Sequence, residues 1–238
     1  IMALPKLTTP TYELEIPSTD EKIKYRPFLV KEEKILMMAM ESKTSSDITQ
    51  AVKDIVSECT FNKVKIDDMP MFDVEYIFLN IRSKSVGEVS KLKLLCPDDG
   101  KTYADVEVNL NEVKVQVGDD HTNKIDLGNG MGMIMKYPTI DSFKESGIRD
   151  INPNNMLEVI STCILQIYEE EGKKVYDTKD QTKKEVTDWI EQLNSKQFKD
   201  VQMFFETMPK LKHEITIKNP KTKKESKIML NGLNDFFG

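Results

Sequence analysis

The chain has 238 residues, 39% of them hydrophobic and 31% charged, and a formal net charge of -6. That is enough apolar material for one large or two small cores, and the acidic balance excludes a general electrostatic affinity for nucleic acid or anionic membranes. No apolar run approaches the ~20 residues of a membrane span, and the three widely spaced cysteines, Cys59, Cys96 and Cys163, form no CxxC and read as reduced thiols.

Residues 2–21 contain Pro5, Pro10 and Pro17 and are expected to form an extended arm with one short strand, Tyr12 to Ile16. The opening IMALPKLTTPTYELEIP lacks a basic n-region and a long apolar h-region, so no signal peptide is expected. In Lys22 to Met40, Ile23 and Tyr25 alternate with lysines as in a half-buried strand. Pro27 bends the chain, with Phe28 and Val30 pinning the bend. From Lys31 the pattern becomes helical, with Glu32 and Glu33 in the first turn, where the dipole favours them. Ile35, Leu36, Met38, Ala39 and Met40 are the densest apolar block in the chain, and the N-terminal core is expected to form around them.

Asp47-Ile-Thr-Gln50 resembles a capping box opening a helix to about Glu58. Pro70 suits the first position of a third helix, whose face is Val74, Ile77, Phe78 and Ile81. From Val89 the period falls to two. Pro97-Asp-Asp-Gly100 is a turn, and Tyr103 to Leu110 returns as a strand, which predicts a β-hairpin. Val113 to Val117, then Ile125 with Leu127, and Met131 to Met135, complete a small central antiparallel sheet. Asn152-Pro153 opens a helix running to about Glu169, with Ile160, Cys163, Ile164 and Ile167 inward. Residues 169–184 read as a loop. Thr182 to Glu185 is a second capping box, Ser195 caps a further helix, and His213 to Leu230 is a second hairpin turning at Asn219-Pro.

The expected architecture is therefore α+β. It comprises an N-terminal arm (2–21); a strand, three-helix unit and antiparallel sheet (22–136); and a C-terminal helical section ending in a β-hairpin (137–238).

Chemistry finds little support. Cys96-Pro-Asp-Asp-Gly-Lys101 has the outline of a zinc knuckle, but Asp99 stands where the second thiolate would be. His121 and His213 are distant in sequence, and a tight turn without metal is the expected reading. No nucleophile motif, phosphate loop or HExxH occurs. The paired acids sit at expected turns and helix ends as solvated faces, and Lys221 to Lys224 reads as a charged hairpin turn. Trp189 is expected to be a packing residue. The methionine clusters Met37, Met38, Met40, Met69, Met71 and Met131, Met133, Met135 are expected to be adaptable core filler, with an adaptable binding surface as the second reading. Of the terminal pair Phe236 and Phe237, one can pack at home while the other is offered to a partner. No catalytic residue, metal ligand or cofactor is expected.

Several segments carry a resemblance over nearly the whole chain: Leu4-Pro-Lys-Leu, Arg26-Pro-Phe-Leu-Val-Lys-Glu-Glu, Phe72-Asp-Val-Glu-Tyr-Ile-Phe, Arg82-Ser-Lys-Ser-Val-Gly-Glu, Cys96-Pro-Asp and Leu233-Asn-Asp-Phe-Phe. Their order and spacing resemble the baseplate hub family of T4-like bacteriophages, described as hub subunits or hub assembly factors. Arg26-Pro-Phe-Leu-Val-Lys-Glu-Glu is also similar, more weakly, to tail assembly chaperones that shield tape-measure proteins. The resemblance implies a non-enzymatic assembly protein that binds other hub proteins and the tape-measure protein, with no nucleic acid and no membrane span, and with oligomerisation open. It would act in the host cytoplasm during tail assembly, with a place in the virion baseplate as the second expectation. Arg26, Phe28, Phe236 and Phe237 are the candidate partner-binding residues. The rival readings are a permanent structural hub subunit of the virion and, more remotely, a thiol- or metal-dependent hydrolase using Cys96 and a histidine.

Overall fold

The computed structural model describes residues 7–42, 44–140, 142 and 156–236. The fold is α+β, and the chain divides into two compact units. The first takes 1–66, 72–116 and 210–238; the second takes 67–71 and 117–209. The chain thus leaves the first unit twice and returns.

In the first unit β1 (Tyr12–Glu15) and β2 (Lys22–Tyr25) form a hairpin in which Tyr12 faces Tyr25, their rings 5.7 Å apart. The hairpin is tethered by Asp73, a fully buried carboxylate that accepts hydrogen bonds from the Ser18 amide (3.1 Å) and the Ser18 hydroxyl. Three helices follow: α1 (Val30–Ser42), α2 (Ser45–Cys59) and α3 (Met71–Val86). The α3 face read from its spacing is inward throughout: Val74, Ile77, Phe78 and Ile81 are at most 1% exposed. The box expected at Asp47 does not form; α2 starts two residues earlier, after Thr44, which makes no side-chain cap.

β3 (Val89–Leu95) and β4 (Tyr103–Asn109) pair over seven residues as expected. The central sheet is not one sheet. β5 (Lys114–Gln116) pairs with β10 (Lys210–Lys218), which also pairs with β11 (Glu225–Asn231). Cys96, Ala104 and Ile217 pack together between the hairpin and this sheet, with Leu94, Val106, Ile215 and Ile228 around them. Two turns are stapled at one end. Asp98 accepts from the Asn219 amide nitrogen (2.9 Å) and the Thr222 hydroxyl, while Asp99 accepts from Thr102 Oγ1 (2.6 Å) and the Thr102 and Lys101 amides. Those bonds hold both carboxyls well below the usual carboxylate range. Position 99, which a zinc knuckle would give to sulfur, is thereby occupied by a turn-closing acid.

The second unit is a four-stranded antiparallel sheet of β6 (Lys124–Gly128), β7 (Met131–Met135), β8 (Ile164–Glu169) and β9 (Lys174–Asp177), in that order. Among the described residues three helices belong to it: α4 (Met156–Thr162), α5 (Lys183–Ile190) and α6 (Ser195–Thr207). The long helix expected to reach Glu169 stops at Thr162, and the residues after Cys163 are strand. The reason lies in the β-branched and aromatic run Ile164-Leu-Gln-Ile-Tyr168, which finds partners on both sides in β7 and β9. Its expected start at Asn152-Pro153 lies outside the described residues. The expected loop 169–184 contains β9. Thr182 and Glu185 do form the capping box of α5, and α6 is capped in the same way by Asn194 with Gln197, one residue before the expected Ser195. Gln197 also donates to the Leu127 carbonyl (2.8 Å), pinning α6 to β6. Met133 and Met135 are core filler as expected, buried with Ile164, Ile190, Val201 and Phe204.

One glycine in this sheet is required by packing. A Cβ on Gly132 would meet the Tyr168 hydroxyl at 2.1 Å and the Ile125 carbonyl at 2.6 Å. The ring of Tyr168 lies across the bare backbone and is itself covered by the Lys124 ammonium, 5.3 Å from the centroid. The ring could swing away, but the backbone carbonyl could not. Gly132→Ala is expected to destabilise the protein by about 1–3 kcal/mol in urea unfolding, the range of an overpacked core. An unchanged midpoint would contradict that packing.

Candidate functional site

The Arg26 to Met40 stretch is organised by one buried ion pair. Arg26 donates to Glu32 Oε1 at 2.9 Å, and the other oxygen of Glu32 accepts the Leu29 amide at 2.7 Å. Glu32 is thus the third helical residue reaching back to close the first turn, one arm of a capping box. Lys31 reaches the same carboxylate at 3.2 Å. Arg26 also donates to the Pro27 carbonyl (3.0 Å) and lies 3.7 Å from the Cys59 sulfur, while its own amide donates to the Cys59 carbonyl. Burial alone would raise the Glu32 carboxyl; the bonds from Arg26, Leu29 and Lys31 outweigh it and hold the group below its usual value. Burial pushes the neighbouring Cys59 thiol up to about 11, so it is neutral.

This arrangement fixes where α1 points. Only Glu32 and Ala39 are buried on it, with Leu36 half-buried between them, a narrow i, i+4, i+7 stripe. The rest of the apolar block expected to seed the core, Ile35, Met38 and Met40, faces outward instead. Val30 is 80% exposed, Met38 61%, Met37 58%, and Met40 and Ile35 are also exposed. The density of apolar residues was legible, but its destination was not, because an acid occupies the core position of the first turn. At the start of α1 a hollow of about 590 Å³ is lined by Leu7, Phe28, Leu29, Val30 and Val86. Exposed Phe61 follows α2 with φ +60, a left-handed conformation that costs a bulky residue about 1–2 kcal/mol. Exposed apolar side chains gathered along one helix are the kind of surface that marks a protein contact.

The four residues singled out from sequence are placed differently. Arg26 and Phe28 are buried beneath the start of α1, Phe28 with its amide bonded to the Ser85 hydroxyl (2.9 Å). Phe236 is fully buried, packed with Leu79, Leu92 and Leu211, and its carbonyl accepts the Ser90 hydroxyl at 2.8 Å. Phe237 lies outside the described residues. The exposed methionines were missed as site residues, and the signal that could have found them is Glu32: an Arg six residues earlier gives it a partner with which to be buried.

Cys96 is buried, and no group of three or more His, Cys, Asp or Glu side chains that could hold a metal occurs among the described residues. His121 belongs to the second unit. Its Nδ1 lies 2.9 Å from Thr207 Oγ1 and its Nε2 3.0 Å from the Tyr137 hydroxyl. Thr207 spends its own proton on the Met203 carbonyl (2.7 Å), so it accepts from Nδ1–H, and Nε2 accepts from Tyr137. This network fits a neutral ring, stacked on Tyr137 and tilted against Phe204, and burial lowers the imidazole pKa. Depression in the folded state means a contribution that is intact above the unfolded value of 6.5 and lost as pH falls through the folded one. Half-buried Glu75, pushed up to about 7 by burial, titrates in the opposite sense. The difference in stability between the parent and His121→Gln is therefore the quantity to measure. It is expected to shrink as pH is lowered from 7.5 to 5; a pH-independent difference would refute the neutral network.

Comparison with known proteins gives one match and two blanks. A family model described as "T4 bacteriophage base plate protein" matches residues 9–238, nearly the whole chain. No curated protein and no solved structure matches.

Proposed function

The chain belongs to the T4 bacteriophage base plate protein family, and from that premise we propose that it is a hub assembly protein. It works without catalysis, by binding other hub proteins and the tape-measure protein in the host cytoplasm. The observation that carries this reading is the outward apolar face of α1, with Val30, Met37 and Met38 more than half exposed. Adaptable methionine side chains suit a surface that must mould to a neighbour, and an assembly factor needs contact anchors rather than a polarised cleft. Arg26 and Phe28 act from beneath, holding the start of α1 in the contact geometry. Phe236 is the home anchor of the C-terminal pair, and Phe237 is its member for a partner.

The family description itself favours a second reading, a permanent structural subunit of the baseplate. Mass-spectrometric counting in purified phage tails separates the two. Absence from finished tails, together with co-purification of hub proteins from infected cells, is the result expected of an assembly factor. A fixed copy number per tail would replace that reading with the subunit.

A further inference from the structure

The chain has three cysteines, and none of them is placed to meet an oxidant. Cys59 and Cys163 are fully buried and Cys96 is 1% exposed. Burial also pushes the Cys59 and Cys163 thiols up to about 11, which suppresses the reactive thiolate. Among the described residues the sulfur that meets solvent is thioether. Five methionines are exposed there, and three of them, Met37, Met38 and Met40, lie close together on α1. The other two, Met203 and Met229, stand on α6 and β11. Met133 and Met135 are sealed in the core of the second unit.

On α1 the exposed sulfurs and the structural residues are different residues. The helix is held by Glu32 and Ala39, with Leu36 half-buried between them, and no methionine belongs to that stripe. An oxygen added to any of the three sulfurs therefore enters no core. It changes the outward face instead. A thioether is soft, apolar and adaptable, whereas a sulfoxide is polar and accepts hydrogen bonds. An acceptor carried into an apolar interface without a donor gives up its water for nothing in return.

We infer that Met37, Met38 and Met40 form a reversible modification site for peroxides, whose oxidation releases the protein from its neighbour while leaving the fold intact. This rests on the reading of α1 as the contact face. In the step, the Sδ lone pair forms an S–O bond with one peroxide oxygen and the O–O bond breaks. The departing hydroxide takes the proton from the transferred OH and leaves as water. Sulfur gives up two electrons and the peroxide gains them. Reversal uses a dithiol reductant through sulfoxide reductases: the oxygen leaves as water and the dithiol becomes a disulfide.

The test treats the purified full-length protein with hydrogen peroxide, quenches it with catalase, and offers it to a desalted extract of infected cells. Peptide mapping is expected to place sulfoxide at Met37, Met38 and Met40 and not at Met133 or Met135. The treated protein should keep the circular dichroism and melting temperature of the untreated one, yet recover about tenfold less of the baseplate proteins that co-purify with it. Sulfoxide reductases with dithiothreitol should restore the recovery. Met203→Leu/Met229→Leu leaves the exposed thioethers of the described residues on α1 alone, and it should show the same loss and the same restoration. Undiminished recovery after oxidation, a lowered melting temperature of the treated protein, or a double variant whose association survives peroxide would each overturn the inference. No co-purification by the untreated protein would overturn the contact face itself, and this inference with it.

Discussion

Glu32→Ala is expected to destabilise the protein by about 3–5 kcal/mol, the cost of stranding a buried charge. Arg26 would lose its 2.9 Å partner, and the Leu29 amide would lose the acceptor that closes the first turn of α1. Glu58, half-exposed and 4.0 Å from the guanidinium, is too distant to replace it. The double variant Arg26→Met/Glu32→Leu should be far milder, because removing both charges removes the desolvation they jointly carry. Urea unfolding of the three proteins checks the pattern. A single variant within about 1 kcal/mol of the parent would show that the pair is not holding α1. The same pair has a pH signature. Glu32 is depressed below its unfolded value of 4.5, so its contribution is complete above that pH and declines as the solution is acidified below it.

Replacing Met37, Met38 and Met40 together by Gln should do the reverse: leave the fold intact and remove the association. The three side chains are 58%, 61% and 46% exposed, and surface substitutions of this kind normally change stability by less than about 0.5 kcal/mol each. Loss of one strong contact residue weakens binding by about 2 kcal/mol, close to thirtyfold. The triple variant is therefore expected to fold at the parent's melting temperature yet fail to co-purify with baseplate proteins from infected cells. Undiminished co-purification would move the contact elsewhere on the molecule.

These two results bear on how far the chain could be read without coordinates. Where one interpretation satisfied both local pattern and tertiary demand, reading succeeded. The α3 face has a clean helical spacing, and Pro97-Asp-Asp-Gly100 admits little but a turn. Ile160 to Tyr168 satisfied two patterns at once: Cys163, Ile164 and Ile167 fit a helical face, yet Ile164 to Glu169 is a strand because β7 and β9 supply partners from either side. The pairing of β5 with β10 joins Lys114 to Lys212 across almost a hundred residues, and nothing local in either segment announces it. α1 shows a third kind of failure. Apolar content alone predicts an inward face, but the interior position at its first turn belongs to Glu32, and Met37, Met38 and Met40 face outward. The same reading points to Arg26, Phe28, Phe236 and Phe237 as contact residues, and the first three are buried.

The most direct measurement places a photo-crosslinking amino acid at position 38 on α1, with position 199 on α6 as control, since Lys199 is also exposed. Irradiation of infected cells during tail assembly is predicted to join position 38, and not position 199, to another baseplate protein. Adducts absent from position 38, or equally abundant at both positions, would contradict the assignment of α1 as the surface through which this protein meets its neighbours.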